Sequence, residues 1–79
     1  MTLAEAVAAR VEELIEKKGV TQYRVSRLSG VSQSSISELR ACKNKTPNLY
    51  IVYQIADALQ IGLKEFFDSP LFESGNICD

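Results

Sequence analysis

Seventy-nine residues, 46% of them hydrophobic and only four of them glycine, bound this chain to one domain with enough apolar side chains for a compact core without disulfides. The opening MTLAEAVAARVEELIEKK holds four glutamates where a secretory leader needs a basic start and an apolar run, and no stretch approaches the roughly 18 uncharged residues of a membrane span, so a soluble, cytoplasmic and complete chain is expected. The formal net charge of -1 conceals an asymmetry: residues 17–45 carry seven basic side chains against Glu38 alone, while residues 1–16 and 46–79 are both net acidic. Screening over about 8 to 10 Å lets such a local basic block attract phosphates whatever the total charge; a merely solvated basic face is the plainer account.

In chain order, residues 3–17 form an amphipathic helix, with Leu3, Val7, Val11, Leu14 and Ile15 recurring at steps of three and four. Thr2 and Glu5 fit a capping box at its start, and Gly19 fits its stop. A second helix runs from Thr21 as N-cap to about Leu28, burying Val25 and Leu28, and Gly30 closes it. Ser32 caps a third helix to about Ala41 with Ile36 and Leu39 inward. A basic, polar loop from Lys43 to Pro47 leads to Asn48, the cap of a fourth helix that turns Leu49, Val52, Ile55, Ala56 and Leu59 to one side. LKEFF, residues 63–67, makes a last short turn, and from Asp68 onward the lack of any period predicts an irregular or partly ordered tail. The only strand-like run, Leu49 to Tyr53, is absorbed by the longer helical period. The expected fold is all-α, five short helices, with one domain over residues 1–67 and a tail over 68–79.

The segment from Gln22 to Leu39 is the informative one. Two short helices joined around Gly30 to Ser32 make the sharp crossing of a helix-turn-helix, with Val25, Ser26, Ile36 and Leu39 as the small and aliphatic contacts between them. By composition the run SGVSQSSIS reads equally well as a flexible loop, but Val31, Ile36 and the capping Ser32 argue for a helix. A nucleophilic serine has no support, because the chain lacks histidine and offers no other base to activate one, so neither an enzyme nor catalytic residues are expected. Cys42 and Cys78 stand far apart, which suggests neither a metal site nor a disulfide, and no cofactor or small-molecule ligand is implied.

The stretch VTQYRVSRLSGVSQSSIS, followed by KNKTPNLYIVYQIADALQIGLKEFF, resembles the Cro and phage-repressor type of helix-turn-helix regulator, the XRE family, over roughly residues 7 to 67. That resemblance implies double-stranded DNA as partner, with the third helix in the major groove and Gln33, Ser34, Ser37 and Glu38 reading base edges. It also implies that Gln22 bonds a phosphate and braces Gln33, and that Arg24, Ser32, Lys43, Asn44 and Lys45 line the backbone, partly through amides at helix starts. A homodimeric repressor on a two-fold operator follows from the same likeness, since one domain of this size offers few base contacts.

Departures from the family pattern carry expectations of their own. Cys42 and Gln60 stand where glycines usually end the third and fourth helices, so either those ends are built differently or left-handed strain of about 1 kcal/mol is accepted at each. Arg24 replaces an acid in the first turn of the second helix, against the helix dipole but toward phosphates. Arg40, where an acid is common, is expected to pair with Glu12 or Glu16 and to matter for stability more than for DNA affinity. Phe66 and Phe67 close the core or, with the tail to Phe72, form a dimer seam; Tyr50 and Tyr53 are expected to be half-buried, with Tyr50 near enough to the basic loop to touch a phosphate. The competing reading keeps the fold but binds a protein, as an antitoxin-like or anti-repressor component, on the strength of the acidic flanks and the lack of arginine on the base-reading face.

Overall fold

A computed structural model describes residues 1–78, which form five α-helices: α1 (Leu3–Lys18), α2 (Gln22–Ser29), α3 (Gln33–Arg40), α4 (Leu49–Ala58) and α5 (Leu63–Phe67). Two single turns of 3-10 helix, Pro70–Phe72 and Ser74–Asn76, complete the chain, and no strand occurs among the described residues. No helix among them is long and apolar enough to cross a membrane.

Four of the five helices, α1 to α4, begin where a side chain can satisfy their free amides. The Thr2 hydroxyl accepts from the Glu5 amide at 3.1 Å, and the Glu5 carboxylate accepts from the Thr2 amide at 2.7 Å, completing the capping box. That second bond holds the Glu5 carboxyl below its ordinary pKa, because it favours the charged form. Thr21, Ser32 and Asn48 cap α2, α3 and α4 in the same way.

Three helices stop alike. The chain turns left-handed at Gly19 (φ 67°), directly after α1, and at Cys42 (φ 56°) and Gln60 (φ 63°), two residues past α3 and α4, and the next amide reaches back to the last turn: Val20 to the Ile15 carbonyl, Lys43 to Glu38, Ile61 to Ala56. Of the two alternatives raised by Cys42 and Gln60, the chain thus keeps the glycine-type ending and takes the strain.

The core is one cluster in which Val7, Val11, Leu14 and Ile15 of α1 meet Val25 of α2, Val31, Ile36 of α3, Val52, Ile55 and Ala56 of α4, and Leu59 just past its end. Ile61 and Phe66 seal it from below. Leu3, Leu28 and Leu49, expected to be inward, are exposed. Leu3 and Leu49 open their helices beyond the core layer, and Leu28 sits on the rim of an open depression with Val20 and Ala58. Tyr50 and Tyr53 also lie outside, stacked on one another at 6.3 Å, rather than half-buried. The tail has no regular period, yet it is tied down: the amino terminus donates to the Asn76 carbonyl at 3.1 Å, the Cys78 amide to the Met1 carbonyl at 2.8 Å, and the Phe72 ring meets Phe67 edge-on at 4.9 Å.

Candidate nucleic-acid interface

The turn between α2 and α3 is built from small side chains. Gly30 ends α2 at φ 77°, a conformation that costs a side-chain-bearing residue about 1–2 kcal/mol. Two serines then fix the three-residue connection, as the Ser26 hydroxyl donates to the Val31 carbonyl at 2.6 Å and the Ser29 hydroxyl accepts from the Val31 amide at 3.1 Å. Val31 itself is buried, which pins the turn to the core and sets the angle at which α3 leaves it.

Ile36, wholly buried, and half-buried Leu39 anchor α3 from inside. Opposite them, Gln33, Ser34, Ser37 and Glu38 are all exposed, as their positions on a 3.6-residue helix require. The side chains of Gln33, Ser34 and Glu38 make no hydrogen bond or ion pair among the described residues, so their polar atoms are open to an outside partner. Ser35 turns inward instead, its hydroxyl accepting from Ser32, whose own oxygen caps the helix.

Cations without counterions stand before and after α3 in the chain. Arg24, in the first turn of α2, lines an open depression with Lys18, Leu28 and Gln60, on the side of that helix away from Gln22, and Lys43 and Lys45 flank Asn44 in the loop after α3; all are exposed, and none of the three cations has an ion-pair partner among the described residues. The basic block thus spends only part of its charge on the protein itself. Arg27 lies over the Tyr23 ring at 5.9 Å, while Arg40 serves α1 and α2.

Gln22 is more deeply committed than a simple phosphate ligand. Its amide nitrogen donates to the Ser37 hydroxyl at 2.9 Å and, at 3.4 Å, to the Gln33 carbonyl, so the brace reaches the backbone of Gln33 rather than its side chain. Its carbonyl accepts from Arg40 at 2.7 Å, and Arg40 Nε reaches Glu12 at 2.6 Å. Glu12, rather than Glu16, is therefore the partner of Arg40. The bond from Arg40 to Gln22 was not anticipated from the sequence, although the spacing Gln33, Ser37, Arg40 places all three on one side of α3 and held the clue. A second unanticipated arginine, Arg10, donates to the Phe66 and Glu65 carbonyls at 2.7 and 2.8 Å and so closes the end of α5 against α1.

A turn of three residues and a short exposed helix held at its inner edge make a helix-turn-helix, a fold that other proteins share. The family model for the Cro/C1-type helix-turn-helix DNA-binding domain matches residues 10–70. The solved structure of prophage Lp1 protein 11 superposes with a TM-score of 0.80 at 30% identity, covering 89% of this chain and 92% of that one. Among curated proteins none matches. With the match running from the middle of α1 through α5 and the geometry of α2 and α3 in agreement with it, this chain belongs to the Cro/C1-type helix-turn-helix DNA-binding family.

Proposed function

We propose that this protein is a sequence-specific transcription regulator, a dimeric repressor acting in the cytoplasm, that lays α3 in the major groove of double-stranded DNA. One observation carries the reading: the outer face of α3 presents Gln33, Ser34, Ser37 and Glu38, all exposed, and the loop that follows it exposes Lys43 and Lys45 with their charges unspent. Glutamine bonds adenine through two atoms, serine donates or accepts, and glutamate accepts from cytosine, so this face discriminates bases without arginine. Arg24, Lys43, Asn44 and Lys45 hold phosphates, joined by the Ser32 backbone at the start of α3, while Gln22 keeps its internal bonds and braces α3. Two protomers on a palindrome double the contacts. In that pairing Phe66 has no part, being wholly buried, so Phe67, Leu71 and Phe72 supply what remains of the seam.

A second reading, a module that grips another protein, draws on the exposed Leu49, Tyr50 and Tyr53 at the outer side of α4. Selection of bound duplexes from a random pool, with wild type and Gln33→Ala at two salt concentrations, separates the two. The DNA reading expects a palindromic site whose specificity relaxes at one position per half in the variant, with retention falling steeply as salt rises. Weak retention at both salts, with nothing enriched, overturns it in favour of a protein partner.

A further inference from the structure

We infer that Arg40, working through Gln22, fixes the hydrogen-bond polarity of Ser37, so that this hydroxyl meets DNA as a donor and favours bases that offer an acceptor there. The inference rests on α3 reading the major groove and adds what one of its side chains selects. Its starting point is a chain of bonds across three helices: Arg40 of α3 grips Glu12 of α1 through two nitrogens and donates with a third to the Gln22 carbonyl of α2.

A guanidinium has only donors, whereas a glutamine amide has one end of each kind and a serine hydroxyl can do either. The polarity of the chain is therefore decided at Arg40. With its carbonyl taken by the guanidinium, Gln22 must turn its NH2 toward α3, where it stands 2.9 Å from Ser37 Oγ and 3.4 Å from the Gln33 carbonyl. Ser37 Oγ then accepts. Its one proton has an alternative in the Gln33 carbonyl one turn back, but both lone pairs of that oxygen are engaged, by the Ser37 amide in the helix ladder and by the Gln22 amide. The proton points outward from an exposed residue, and a hydroxyl that accepts from a polarised chain donates more strongly in turn.

In the major groove the acceptors within reach are guanine N7 and O6, adenine N7 and thymine O4, while the cytosine amino group is a donor that this arrangement disfavours. The Glu12–Arg40 ion pair, half in solvent, thus has a role besides holding α1 to α3. Arg40 is a positioning residue: it touches no base.

The experiment is selection from a random duplex pool using the full chain as wild type, Ser37→Ala, Gln22→Glu and Arg40→Met, each first checked for helical content. Ser37→Ala identifies the position in each half-site that Ser37 reads, by loss of the roughly 3- to 10-fold preference that one net hydrogen bond supports. Gln22→Glu keeps the size and the bond to Arg40 but offers acceptors only. Ser37 must then donate inward, and the preference at that position is expected to move toward cytosine, whatever uniform loss of affinity the added charge causes. Arg40→Met frees the amide to turn either way and is expected to leave the position indifferent within about twofold. Should that variant fail to fold, Gln22→Glu still decides the matter. Identical preferences at that position in wild type and Gln22→Glu would falsify the polarity mechanism while leaving the DNA reading intact; a wild type that enriches nothing removes both.

Discussion

At Gln60 the backbone sits at φ 63° with an exposed side chain that makes no hydrogen bond among the described residues. The left-handed conformation costs about 1–2 kcal/mol there, against the smaller gain, roughly 0.4–1 kcal/mol, that a side chain brings by restricting the unfolded chain. Gln60→Gly is therefore expected to stabilise the protein by about 0.5–1 kcal/mol, which thermal denaturation should register as a midpoint raised by about 2–8 °C. Cys42 takes the same conformation but is half-buried, so the loss of its thiol partly offsets the relief. The family pattern, which has glycines at both positions, left strain there as one of two alternatives; that the chain keeps the glycine-type ending, with Lys43 and Ile61 reaching back, depended on the whole last turn.

The eight-residue helices α2 and α3 are too short to persist alone, and what fixes them is the packing of Val25 and Ile36 beneath and the bonds of Ser26 and Ser29 at the turn. The loop that follows α3 is of a different kind: Lys43, Asn44 and Lys45 are exposed and held by little besides the Lys43 amide's bond to Glu38. Side chains so placed lose no internal partner when removed. Lys45→Ala is expected to leave the melting temperature within about 2 °C while weakening binding to all sequences alike. In a titration against salt, the slope of log K on log salt should fall by about 1. An unchanged slope would remove Lys45 from the phosphate contacts.

Phe66 shows how the whole molecule settles a choice left open by its local sequence. Its ring is wholly buried, edge-on to Phe67 at 5.0 Å and near Phe72 at 6.2 Å, and its carbonyl receives Arg10 from the middle of α1. The three rings bind α5 and the first 3-10 turn of the tail into the same layer, so residues 68–78 act as a strap over the end of the bundle. Phe66→Ala is expected to cost about 3–5 kcal/mol, a large part of the roughly 4–12 kcal/mol available to a chain of this size. Urea denaturation gives the measurement, and a loss below about 1 kcal/mol would mean that α5 contributes little to the core.

The sequence by itself determined the five helices, the caps of α1 to α4, the glycine stops of α1 and α2, the helix-turn-helix of α2 and α3, and the outward face of α3, because each of these is governed by residues within one or two turns of each other. Family membership was legible for the same reason, as the pattern of motif, loop and following helices is a local one. Only the tertiary structure decided that Leu28 and Leu49 face solvent, that Arg10 closes α5, that the tail docks on the amino terminus, and that Arg40 holds Gln22 as well as Glu12. Those partners stand 18 to 75 residues apart, and at such separations the side-chain types fix only what a group is able to bond. Which group it meets is set by how the helices pack, and packing is a property of the assembled core.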